Sequence, residues 1–127
     1  AGSVERVSEI LSLCDTSIMC GDDSLTVPMM LLGAKGVISV ASNIIPAELK
    51  KMTDACASGD FMTAVAMHRK YWRLFKDLFV ESNPIPVKAA MAMLGMIEEE
   101  YRLPLCPLSD VNREKLRKTV SECIRSV

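Results

Sequence analysis

Gly21-Asp22-Asp23 and Ala41-Ser42-Asn43 are two places where this chain sets polar groups at the end of an apolar run. Adjacent carboxylates such as Asp22 and Asp23 can polarise a bound group, or cap a helix, because carboxylates favour helix amino termini. Asn43 can line a ligand edge or close a turn. Thr16–Met19 is a short apolar approach to the first place, and the β-branched run Val37-Ile38-Ser39-Val40 leads to the second. Between them, Ser24 to Leu32 has the apolar content of a short helix, stopped by Gly33 and Gly36. A strand, a helix and a second strand predict a parallel crossover. Both polar triplets then lie at the carboxyl ends of neighbouring strands, the edge where parallel α/β folds bind ligands.

The elements around this unit are mostly helical. Ser3 can cap a helix predicted over Val4–Leu13, where Val4, Val7, Ile10 and Leu11 repeat at helical spacing. Pro46 suits the first turn of a helix over Ala47–Ala57, which Gly59 ends. Asp60 caps a long helix from Phe61 to about Val80, with Phe61, Val65, His68, Trp72, Phe75 and Phe79 along one side. Asn83-Pro84-Ile85-Pro86 reads as a stiff, extended connector, since proline disfavours helix in the residue before it. A helix from Pro86 to Leu94 follows, ended by Gly95, and Tyr101–Leu108 is an extended, proline-rich crossing. Ser109 or Asp110 caps a last helix, Val111–Ile124, whose basic run Arg113, Lys115, Arg117 and Lys118 is expected to face water.

Composition closes off several classes of function. Lys and Arg number 15 against 16 Asp and Glu, so no basic excess points to nucleic acid, and aromatics are too sparse for a base-stacking surface. Apolar stretches are broken by Gly, Pro or charge well before the ~20 residues a bilayer requires. No signal or transit segment is evident. Cys14, Cys20, Cys56, Cys106 and Cys123 are scattered, without a C-x-x-C pair, which suits reduced, mostly buried thiols. His68 is the single histidine, which argues against a zinc site and reads as a packing or helix-surface residue. Two strands alone do not make a stable sheet, so the chain reads as the carboxyl-terminal portion of a larger domain.

Gly21-Asp22-Asp23, Gly36-Val37-Ile38-Ser39-Val40, Asn83-Pro84-Ile85-Pro86-Val87-Lys88 and Arg102-Leu103-Pro104 together resemble the dihydrodipicolinate synthase (4-hydroxy-tetrahydrodipicolinate synthase) family. GDD alone is a weak signal, but its combination with GVISV and NPIPVK covers essentially the whole chain. The resemblance implies an α/β fold, the carboxyl-terminal part of a (β/α)₈ TIM barrel followed by a helical extension. Residues 1–45 would close the barrel with its last two strands, and residues 46–127 would carry the last barrel helix and the extension. It also implies a lyase of the Schiff-base class that condenses pyruvate with aspartate 4-semialdehyde in lysine biosynthesis.

In that family a lysine amine attacks the keto group of pyruvate, and such a lysine must be desolvated enough to be partly neutral. Ala1-Gly2-Ser3-Val4-Glu5-Arg6 resembles the sequence that follows this lysine, which places the nucleophile upstream of Ala1. The amino-terminal half of the barrel is therefore an implied partner, and the chain by itself is expected to be inactive. Ile38 matches the position whose main-chain carbonyl faces pyruvate, while its side chain is expected to pack in the barrel. Gly21 matches a strand-end glycine that either admits substrate closely or makes a tight turn. Asp22 and Asn43 are the further substrate-edge candidates. Lys35, preceding the second strand, belongs at the opposite, stability face, and Lys50, Lys51 and Lys88 belong on outer helices.

The resemblance implies no cofactor and no metal, a homotetramer or dimer of the whole enzyme, and a cytoplasmic location, or the plastid stroma in a plant. Two other readings stay open from sequence. One is a related pyruvate-dependent aldolase of the N-acetylneuraminate lyase or keto-deoxy sugar-acid type. The other is a non-catalytic helical interaction fragment.

Overall fold

A computed structural model describes residues 2–124 of the chain. Ala1, where the stretch compared with the sequence after the reactive lysine begins, lies outside the described residues. The elements in order are α1 (Val4–Leu13), β1 (Met19–Cys20), α2 (Thr26–Leu31), β2 (Gly36–Val37), α3 (Pro46–Ser58), α4 (Phe61–Asp77), α5 (Ile85–Met93) and α6 (Asp110–Ile124). Contacts group the residues up to 69 into one compact unit and those from 70 onward into another, the division falling inside α4. The reason is local: α3 packs on α2 and on the turn over Ala41–Asn43, so it stays with the strands.

In the first unit β1 and β2 pair in parallel, with Met19 opposite Gly36 and Cys20 opposite Val37. Bonds from Lys35 N to Ile18 O and from Ile38 N to Cys20 O, both 2.8 Å, extend the ladder at each end. The second strand is therefore shorter than the run Val37–Val40 suggested. After Ile38 the chain leaves the ladder and turns into the 3₁₀ segment Ala41–Asn43, because Ser39, Val40 and Ala41 give their donors elsewhere. Val7, Cys20, Met29 and Ala34 form a buried cluster that α1 and α2 cover on one face of the pair. Gly33 follows α2 with φ +113°, a backbone conformation that favours glycine, and a Cβ there would meet the flexible Leu11 Cδ1 of α1 at 2.9 Å. The segment after β1 begins with a 3₁₀ turn over Asp23–Leu25, and α2 proper is shorter than Ser24–Leu32.

The α3 helix starts with Pro46 and stops at Gly59, whose φ of 82° supplies the left-handed cap. Asp60 Oδ1 then accepts from Thr63 N at 3.1 Å, capping α4 as its sequence suggested. The buried stripe of α4 shares Phe75 with the expected one but otherwise runs beside it. Ala64, Met67, Tyr71, Leu74, Phe75 and Leu78 are buried, while Phe61, Trp72 and Phe79 are each about half exposed. Both sets repeat at helical spacing on adjacent stripes, and both contain large apolar residues, so periodicity alone chose the wrong one. Lys76 Nζ lies 5.3 Å from the Trp72 ring, shielding part of that exposed stripe.

In the second unit α5 packs against α6, with Ile85, Val87, Ala89 and Ala90 buried on one and Leu116, Thr119 and Val120 on the other. The Asn83–Pro86 connector is not extended. Asn83–Pro84 is a cis peptide, and Ile85 N bonds back to Ser82 O at 3.0 Å, so α5 begins at once. Nor is the basic run of α6 simply solvated. Lys115 Nζ reaches the buried Asp77 carboxylate at 2.8 Å, and Arg113 grips Glu99 through two nitrogens.

Candidate functional site: the carboxyl ends of the two strands

Gly21-Asp22-Asp23 follows β1 directly, and Ile38 to Asn43 follows β2, so the parallel pairing brings the two polar segments side by side. The adjacent aspartates divide their work. Asp22 Oδ1 accepts from Ser24 N at 2.9 Å and Ser24 Oγ at 2.8 Å, capping the 3₁₀ turn that leads into α2. Asp23 turns the other way. It is 1% exposed, and its Oδ2 accepts from Val40 N at 3.1 Å and Ala41 N at 2.9 Å. Its Oδ1 accepts from Ser39 Oγ. The cap expected of both aspartates is therefore made by Asp22 alone.

Ser39 extends the network. Its Oγ accepts from Ser42 N at 2.8 Å, and Ser42 Oγ donates to Ser39 O at 2.9 Å. Asn43 is exposed and donates from Nδ2 to Val40 O at 2.9 Å, closing the same turn. On the β1 side, Cys20 Sγ and Thr26 Oγ1 donate to Asp22 O at 3.0 and 3.1 Å. Gly21 has no left-handed φ, and an added Cβ would meet nothing within 4 Å. No tight turn demands glycine there; the position simply opens onto free space.

At the end of β2 the Ile38 amide donates to Cys20 O, and its side chain is 74% exposed. Lys35 is exposed at the opposite end of β2, where its amide bonds to Ile18 O. It lines a separate cavity of about 420 Å³ with Gly36, Val37, Leu49 and Lys50. His68 is half-buried, and burial, then the Arg69 charge, hold its pKa below the ordinary value. Among the described residues no cluster of His, Cys, Asp or Glu could hold a metal ion, and no helix is long and apolar enough to cross a membrane. Sequence reading overlooked the Asp23–Ser39 link. Its one signal was a lone hydroxyl residue inside an otherwise β-branched run.

Comparison with known proteins decides the family. The sequence model of the dihydrodipicolinate synthetase family matches residues 1–123. The chain belongs to that family. It is 52% identical over 122 residues to the 4-hydroxy-tetrahydrodipicolinate synthase of a Sulfurihydrogenibium species, covering 94% of this chain and 42% of that protein. The crystal structure of dihydrodipicolinate synthase from Aquifex aeolicus matches 96% of this chain and 42% of its own, at 50% identity and a TM-score of 0.93. A chloride-inhibited synthase from Acinetobacter baumannii, solved in complex with pyruvate, matches at 36% identity and a TM-score of 0.92, covering 97% of this chain and 42% of that one. The chain thus spans about 42% of the length of the synthases it matches. The family expected from GDD, GVISV and NPIPVK is the family found.

Proposed function

We propose that this chain supplies the closing strands and the helical extension of a (β/α)₈ barrel that condenses pyruvate with aspartate 4-semialdehyde through a Schiff base. The observation that carries the reading is the parallel β1–β2 pair, which sets Gly21-Asp22-Asp23 beside Ile38–Asn43 in a chain half identical to named synthases. The lysine that forms the Schiff base belongs to the amino-terminal half of the same barrel. Within the first unit, Lys35 is at the far end of β2 from this edge, where its amide bonds to Ile18 O.

The roles then follow from chemistry. The Ile38 carbonyl, at the end of β2, offers a hydrogen-bond acceptor to the amine or to bound pyruvate without adding a full charge. Gly21, with open space where a Cβ would stand, lets substrate approach the backbone. Asp22 and Asn43 shape the rim through the turns they close. The exposed Ile38 side chain becomes a packing surface for the missing strands, and the whole enzyme assembles as a dimer or tetramer.

Borohydride trapping tests the assignment. With pyruvate alone, this chain should carry no adduct. Combined with the amino-terminal half of a family synthase, trapping should mark one lysine of that half and none here. A pyruvate adduct on Lys35 or Lys88 would overturn the assignment of the nucleophile, and no adduct on either half would overturn the condensation itself.

A further inference from the structure

We propose that Asp23 is a positioning residue for the substrate edge, its buried carboxylate holding residues 39–41, and through them the Ile38 carbonyl, in place against the end of β1. What Ile38 faces rests on the condensation proposed above; the hydrogen bonding does not. The ladder between β1 and β2 ends at the bond from Ile38 N to Cys20 O. Beyond it, the two strand ends are joined through Asp23, whose three donors lie 16, 17 and 18 positions away along the chain. Among the described residues Asp23 makes no salt bridge, although it is 1% exposed.

Burying a carboxylate away from any cation is costly, and directed amide and hydroxyl donors offset that cost only if their geometry is held. The helix start does not require this group, since Asp22 already caps it. The donors satisfied by Asp23 all belong to the segment that follows β2. A carboxylate in this place therefore does one thing an apolar core residue cannot: it sets where the chain goes after Ile38. For a carbonyl aimed at a reacting centre that placement is decisive, because a displacement of about 1 Å costs on the order of 100-fold in rate.

The test uses the complete barrel carrying this chain, with Asp23→Asn as the first variant. Asparagine keeps the size and one oxygen for Val40 and Ala41. Its N–H₂ must then face Ser39 Oγ, which already accepts from Ser42 N. We expect kcat/KM for pyruvate and the rate of borohydride trapping to fall by about 10- to 100-fold, with KM for the aldehyde unchanged. Ser39→Ala, which keeps the carboxylate, should give a smaller loss in the same direction, and Ser39→Thr should restore the rate. Amide hydrogen exchange at Val40 and Ala41 should quicken in Asp23→Asn. A lowered melting temperature with unchanged trapping in both Asp23→Asn and Ser39→Ala would make the link merely structural and overturn the proposal. A wild-type barrel that traps no pyruvate, while exchange still quickens in Asp23→Asn, would instead sink the condensation reading and leave the clamp as a structural contact.

Discussion

Asp77, 2% exposed, receives Lys115 Nζ at 2.8 Å and Thr119 Oγ1 at 2.6 Å, with Arg73 Nε farther off at 3.9 Å. Removing a buried carboxylate strands its partners, so Asp77→Ala should destabilise the chain by about 3 kcal/mol. The Lys115 ammonium is half exposed, and Lys115→Met should cost only about 1 kcal/mol; urea unfolding midpoints will rank the two. A second group sets an alkaline limit. Burial first, and then the hydrogen bond to Glu99, push the Tyr101 phenol from 10.0 to about 12. A raised folded-state pKa gives stability that is intact below pH 10 and is lost as pH rises towards 12. Tyr101→Phe should therefore flatten the alkaline loss of stability in that window, measured by thermal melts across it. At the acid end Glu99 behaves oppositely. Its bond to Arg113 lowers its pKa, so its contribution is present above the ordinary carboxylate range and disappears as pH falls through the lowered value.

Helix ends show how far element boundaries follow from residue type. Pro46 and Gly59 bracket α3, and Asp60 opens α4, each where its chemistry required. Gly59 and Gly33 both have positive φ, but their surroundings differ. At Gly59 a Cβ would meet nothing within 4 Å, so Gly59→Ala should cost about 1 kcal/mol of backbone strain. At Gly33 the φ of 113° lies outside the ordinary left-handed well, and Leu11 Cδ1 stands 2.9 Å from the added carbon. Gly33→Ala should cost more, about 2–3 kcal/mol. Equal melting temperatures for the two variants would contradict this reading of the α1–α2 approach. The interior of α4 was less legible than its ends. Two adjacent apolar stripes compete, and Tyr71 rather than Trp72 goes inside.

For the molecule as a whole, the sheet is the element least complete by itself. Among the described residues, two strands of two residues each leave open edges, and Ile38 and Met19 expose 74% and 46% of their surface beside them. Open strand edges next to apolar side chains favour association. The chain alone should therefore form oligomers in light-scattering measurements and become a defined species when the amino-terminal half is supplied; a monomer with a sharp thermal transition would count against this.

Sequence alone determined the family, the parallel strand–helix–strand unit and most helix ends, because motif spacing, caps and glycine stops act within a few residues of one another. It also located the polar triplets at one strand edge, since parallel pairing leaves them no other place. Only the tertiary structure decided which aspartate caps and which one clamps, which stripe of α4 is buried, and that Lys115 and Arg113 are tethers rather than solvated charges. Those outcomes depend on partners 14 to 42 positions away, such as Thr119 for Asp77 and Arg113 for Glu99, and local residue preference carries no information at that range.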